Sequence, residues 1–408
     1  MIVPQSGPGT RPPRTMSRRD LFKGLGGLGG LSLLGLAASA AGCARPAAVS
    51  VDGLPSQTVW ATYPTGTGTY NDVAAIANMV TNRSGSKVRI MAGDTGIARI
   101  GPLIAGTAQY SRAGDEYYYA FEGEDEYTSE NWGPQPIRQI WAPPGNYGVL
   151  VRRDSGIETV SDLRGKRFPR LLASTSMNYK LKAILDFGGL SLDDVRLVDI
   201  AYSEQAEAVK AGHLDVMYQN VVGATVEELD SQYPVRWLDL SGGTPEQYST
   251  WEELAPMVLL GEATRGAGLA EGESVVNMQY SIPLTTTRDR PEEEVRAMLD
   301  LIHENFDDFK DSTPDAPAFA ADKVLLAPTV PFHEGAVSFF RDIGRWTPEL
   351  QERNEALVER ERLMEEHWPD FWDEHSDDGD VVRLWKRWKS ENLPAIAPIS
   401  EITDTERS

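Results

Sequence analysis

The stretch Thr58-Val59-Trp60-Ala61-Thr62, Pro64-Thr65-Gly66-Thr67-Gly68-Thr69-Tyr70, Asn71-Asp72-Val73 carries three structural signals in direct succession. β-Branched and aromatic residues make 58–62 a strand. The Gly/Thr run 64–70 is a loop. Val73, Ile76, Ala77 and Val80 then recur at the helical period, with Asn71 or Asp72 as the cap. The same order returns at once: a strand over 87–91, the turn Asp94-Thr95-Gly96, and a helix carrying Ile97, Ile100, Leu103 and Ile104. Repetition of this unit indicates an α/β fold built on parallel sheets.

Further along, strands are expected at 147–151, near 167–168, and at 195–200, 214–218, 257–260 and 275–287. Helices are expected around Leu181, Ile184 and Leu185, over 204–211 and 223–229, and after Pro291. Thr347 as cap and Pro348 at the first helical position open a C-terminal helix. Residues 110–136 are polar and aromatic without a period, and read as a long surface loop.

The chain has 408 residues, 61 acidic and 39 basic, for a net charge of −22. That length fits two to three domains, and a 41% hydrophobic content with ten tryptophans is globular. The acidity argues against nucleic-acid binding, which draws its affinity from Lys and Arg. A single cysteine, Cys43, excludes an intramolecular disulfide and a multi-cysteine metal site.

The first segment reads as an address. Ser17-Arg18-Arg19-Asp20-Leu21-Phe22-Lys23 is a twin-arginine sequence, followed by an uncharged, Gly-rich run from 24 to 42 and then Cys43. Ala40-Ala41-Gly42-Cys43 resembles a lipobox, which makes Cys43 the lipidation site and 44–56 a tether. The alternative is a plain signal peptide cut near Ala41, with Cys43 left as a free thiol. Arg18 and Arg19 are the expected export signal. The expected location is the periplasm or the outer face of the cytoplasmic membrane, with membrane attachment through the lipid.

Three hydroxyl-rich loops each precede a helix, at 65–70, 94–96 and 174–178. A helix N-terminus presents free N–H donors and partial positive charge, so it can hold an oxyanion without a basic residue. Simple capping explains any one of them. Gly66-Thr67-Gly68 lacks the third glycine of a dinucleotide fingerprint, and there is no P-loop. No histidine lies in an HExxH pattern, and no Gly-x-Ser-x-Gly occurs. No catalytic set, cofactor or metal is expected.

In order, the segments 64–70, 94–106, Asp154-Ser155-Gly156-Ile157 with Asp162-Leu163-Arg164-Gly165-Lys166, 174–178, 206–215 and Pro331-Phe332-His333-Glu334-Gly335-Ala336 resemble the TAXI-type solute receptors of tripartite ATP-independent periplasmic (TRAP) transporters. The resemblance implies a two-lobed, periplasmic-binding-protein-like (type II) α/β fold. Its lobes would be 57–150 plus 258–330, and 151–257, with hinge strands at 147–151 and 257–260. A helical C-terminal extension would run over 331–408. It implies a ligand in the cleft, held by Thr67, Gly68, Thr69, Tyr70, Thr95, Gly96, Ser174, Thr175, Ser176, Asn178 and Gln219. Tyr70 would serve as a packing wall and Gln219 as a specificity contact. The implied activity is capture of a small organic anion, a carboxylate, for a TRAP membrane permease. The alternatives are an ABC-importer receptor or a ligand-binding lipoprotein serving a sensor kinase. An exported enzyme on the same fold finds no supporting residue.

Overall fold

Strand β1 (Gln57–Thr62) lies at the centre of the N-terminal part of the fold, paired in parallel with β2 (Lys87–Ala92) and β3 (Tyr110–Arg112). Helix α1 (Gly68–Ser84) crosses from β1 to β2, and α2 (Gly96–Ile104) from β2 to β3. The computed structural model describes residues 53–172 and 174–399. The expected export signal Arg18 and Arg19 and the expected lipidation site Cys43 lie outside those residues.

Helix α3 (Glu116–Glu122), β4 (Ile137–Trp141), β5 (Pro144–Arg152), β6 (Arg167–Leu171), α4 (Thr175–Phe187), β7 (Arg196–Ile200), α5 (Gln205–Lys210) and β8 (Val216–Asn220) follow. Then come α6 (Ala224–Gln232), β9 (Val235–Trp237), α7 (Pro245–Leu254), β10 (Leu259–Ala263), β11 (Val275–Ser281) and β12 (Leu284–Thr287). The chain continues through α8 (Glu292–Glu304), α9 (Glu334–Asp342), α10 (Pro348–His375) and α11 (Val381–Asn392).

The strands form two five-stranded sheets and one small one. Sheet A runs β2-β1-β3-β12-β4, and sheet B runs β10-β11-β5-β8 with β9 also on β5. β6 and β7 pair in parallel, Phe168 opposite Leu197. The fold is therefore α/β as expected, but its sheets are not parallel throughout. β12 is antiparallel to both β3 and β4, and every pair in sheet B is antiparallel. No helix lies between β10 and β11 or between β11 and β12, so these strands are not joined by the helical crossovers that parallel neighbours need. Sheet B takes β10 and β11 from the expected lobe 57–150 plus 258–330 and β8 and β9 from the expected lobe 151–257, and β5 crosses the boundary between them.

Two buried apolar clusters hold the elements. One joins α1, α8 and α9 around Trp60, Val73, Ile76, Trp141, Met298 and Phe340. The other joins α2, α3, sheet B, α4, α10 and α11. Both belong to one compact unit.

Three expectations need correction. Residues 110–136 are not a surface loop but contain β3 and α3, with Tyr117, Tyr119, Phe121 and Tyr127 all buried. A helix buried on nearly all sides has no amphipathic period to read. Helix α1 is capped by Thr67, whose Oγ1 accepts from Tyr70 N at 3.2 Å, and not by Asn71 or Asp72. Asp72 instead points inward, 1% exposed, where Arg112 Nη1 meets its Oδ2 at 2.6 Å. The strand expected at 257–260 begins only at Leu259, and that at 275–287 breaks between Ser281 and Leu284, where Pro283 interrupts it.

Candidate functional site

A cavity of about 250 Å³ is lined by the loop 65–69, by Tyr147 on β5, Tyr202, Gln219 and Asn220 on β8, and the start of α6 at 223–226. The loop makes its turn through Gly66, whose φ of +93° disfavours a side chain. Thr67 is oriented by two hydrogen bonds, donating to Pro64 O at 2.8 Å and accepting from Tyr70 N. The first N–H groups of α1 and of α6 lack intrahelical partners by construction, so two helix N-termini open onto one small space. Gly223, at φ +143°, turns the chain into α6.

The far wall is tyrosine. Tyr202 OH donates to Gln219 Oε1, which fixes the amide, and Gln219 Oε1 also accepts from Asn220 N at 3.0 Å. Tyr202 contacts Tyr63 with centroids 6.3 Å apart, and Tyr147 stacks on Tyr280 at 4.3 Å. Tyr218 and Tyr280 share a hydroxyl–hydroxyl bond. Burial pushes the Tyr63, Tyr147, Tyr202, Tyr218 and Tyr280 phenols upward, so they stay neutral donors.

Behind the tyrosines lie buried charges. Arg99 stands 4.0 Å over the Tyr63 ring and pairs with Glu116. Lys180 of α4 stands 4.3 Å over the Tyr280 ring and pairs with Asp115, at the start of α3. Desolvation drives the Lys180 ammonium well below its ordinary value. The set is balanced in charge and incompletely hydrogen-bonded: Arg99 Nε, Glu116 Oε2 and Ser174 Oγ are buried without a hydrogen-bond partner among the described residues. On the other side of the cavity, Asn220 Nδ2 donates to Asp315 Oδ2 at 2.7 Å. Burial and the neighbouring Asp72 raise the Asp315 carboxyl to about 7.

Of the residues singled out from the sequence, Thr67, Gly68, Thr69 and Gln219 line this cavity together. Tyr70 is half-buried on α1 and does not line it. Thr95 caps α2, accepting from Ala98 N at 3.2 Å, and Gly96 lies where any Cβ would overlap Glu116. Thr175 donates to Glu126, and Ser176 is buried in the first turn of α4. Asn178 brackets the Leu171 backbone, donating to its O at 2.8 Å and accepting from its N at 2.9 Å. Ser174 is buried as the cap residue of α4. Tyr147 and Tyr202, which line the cavity, were not legible as site residues, nor were Tyr63, Tyr280, Arg99 and Lys180 behind them, because each falls on a strand, a turn or a helix without a local motif. Among the described residues, no group of three or more metal-ligating side chains is found, and no helix is long and apolar enough to cross a membrane.

Fold and site together define an α/β protein with one mixed sheet, one antiparallel sheet and a small, polar, helix-end cavity. The NMT1-like family model matches residues 61–344, and the chain belongs to that family. No curated protein matches it. Among solved structures, the alkanesulfonate-binding protein SsuA of Xanthomonas axonopodis pv. citri, bound to MOPS, is 15% identical. That match covers 72% of this chain and 95% of that one, with a TM-score of 0.39. The aliphatic sulphonate-binding SsuA of Escherichia coli is also 15% identical, covering 71% and 85%, with a TM-score of 0.38. The substrate-binding protein of an amino acid ABC transporter is 14% identical, covering 64% and 98%, with a TM-score of 0.38.

Proposed function

We propose that the protein is an extracytoplasmic receptor that captures a small organic anion, a carboxylate, and delivers it to a membrane permease of the TRAP type. The observation that carries this reading is the convergence of two helix N-termini and a tyrosine wall on a cavity of about 250 Å³. Oriented N–H groups stabilise an oxyanion without a mobile countercharge, and the neutral Tyr147 phenol adds a donor. A cavity of that volume lies just under the roughly 300–1,000 Å³ of drug-sized sites, which suits a small solute. The twin-arginine segment and Cys43 support export and lipid anchoring. The lobes 57–150 plus 258–330 and 151–257 are the parts that would close on the solute.

Calorimetry with a panel of short mono- and dicarboxylates tests the reading. Thr69→Val and Gln219→Ala should each weaken the best ligand by roughly one to two decades, since a hydrogen bond to a charged group is worth about 1.5–3 kcal/mol. Arg152 and Arg170 pair with Asp154 and Asp199 on the surface, so their removal should leave affinity unchanged. A carboxylate bound only through Arg152 or Arg170 sinks the proposal. Co-purification with an ATPase-bearing importer, and not with a TRAP permease, would favour the ABC-receptor alternative.

A further inference from the structure

A larger cavity, about 740 Å³, lies away from the tyrosine wall. Its walls come from α7, β10, α10, α11 and the segment 393–399. Tyr248, Trp251, Val258, Leu260, Leu393 and Ile396 give it a mainly apolar surface. Arg353 pins the outer wall, donating from Nη1 to Ala397 O at 2.6 Å and from Nε to Pro328 O at 2.6 Å.

Lys389, Arg360 and Lys386 on its rim are already committed to carboxylates. Lys389, 3% exposed, donates to Glu122 O at 3.1 Å, Glu122 Oε2 at 2.5 Å and Glu124 Oε1 at 2.6 Å, which uses all three of its protons. Arg360 Nε and Nη2 both meet the Glu122 carboxylate, at 2.8 and 2.9 Å. Lys386 faces Glu124 at 3.0 Å and Asp125 at 3.7 Å. A ligand carboxylate or phosphate would have to displace a carboxylate from a buried pair, and a ligand cation would have to displace a lysine or arginine. Removing one partner of such a pair strands a charge, which is strongly unfavourable.

We propose that this cavity is a second ligand site, separate from the one at the starts of α1 and α6, for an uncharged, largely apolar small molecule. Volume, apolar lining and a rim whose Lys389, Arg360 and Lys386 are already paired all select that class and disfavour amphiphiles with an ionised head. The site is assembled only when the C-terminal helices are seated, so its occupant also bridges them to sheet B.

The test uses the full chain and the neutral fluorophore N-phenyl-1-naphthylamine, with dodecanol and dodecanoate as competitors. Saturable one-to-one binding is expected, with dodecanol displacing the probe and dodecanoate doing so far less well. Leu260→Trp and Ile396→Trp, which fill the cavity, should each weaken the probe by about tenfold or more. Non-saturable binding, unchanged affinity in both filled variants, or displacement by dodecanoate in preference to dodecanol would each overturn the proposal. Should a filled variant fail to fold, the alcohol-against-acid comparison on the unaltered chain decides alone.

Discussion

Asp315 carries the most informative ionisation near the cavity. Burial and Asp72 raise its carboxyl from 3.8 to about 7, against the opposing pull of Arg112 and Arg265. The folded chain therefore holds a proton that the unfolded chain has released, over the window from about pH 4 to about pH 7. In that window the unfolded state binds fewer protons, so this group's contribution to stability declines as pH rises. Asp315→Asn should flatten the pH dependence of Tm between those limits, and thermal denaturation at stepped pH reads it directly. Equal slopes in the two proteins would mean that Asp315 titrates as an ordinary surface carboxylate. At Thr67, loss of the cap in Thr67→Ala should cost about 1 kcal/mol in urea denaturation, while Thr67→Ser should recover most of it. Thr67, Thr69 and Gln219 were legible because Gly and Thr before a helical period announce a helix start. Tyr147 and Tyr202 were not, since a tyrosine on a strand or in a short turn reads as packing until its neighbours are known. Lys180 reads as a solvated lysine because its partner Asp115 lies 65 positions earlier.

Among elements, α3 was the least legible and is among the most connected. Glu116 and Glu122, at its two ends, look like solvent-facing carboxylates in sequence. Glu116 binds Arg99 from α2, and Glu122 binds Arg360 from α10 and Lys389 from α11. The C-terminal helices announce themselves through Thr347-Pro348, but their docking depends on charge pairs more than 200 residues apart, which no local pattern encodes. Lys389→Met should destabilise the fold by about 3–5 kcal/mol, because it leaves Glu122 and Glu124 buried with less countercharge. Urea midpoints decide this, and a loss under about 1 kcal/mol would show that α11 is held by its apolar face alone. Gly133 lies at φ +69°, where a Cβ would overlap the Trp368 ring of α10, so Gly133→Ala should loosen the same junction.

At the scale of the molecule, α/β character was legible and strand direction was not. Alternating strand and helix signals predict crossovers, but β12 runs antiparallel to β3 and β4, and β5 to β8, β9 and β11, pairings between segments far apart in sequence that no local pattern encodes. Several contacts join segments of the two expected lobes: Lys180 with Asp115, Tyr179 with Asp125 at 2.7 Å, and Asn220 with Asp315. A receptor that opens must break them, so small-angle scattering should show the ligand-free chain more extended than the saturated one. An unchanged radius at saturation would rule out a hinge.

The distribution of aromatic residues has an optical consequence. The 250 Å³ cavity is walled by tyrosines, with no tryptophan among its lining residues. Four of the ten tryptophans, at 368, 372, 385 and 388, are gathered in α10 and α11, and Trp385 and Trp388 lie nearly parallel with centroids 5.1 Å apart. Four indoles in contact in one chiral environment should give the C-terminal helices a large share of the near-ultraviolet dichroism. Change in those tryptophan signals should therefore report the seating of that extension more than the filling of the tyrosine-walled cavity, whose lining holds none of them.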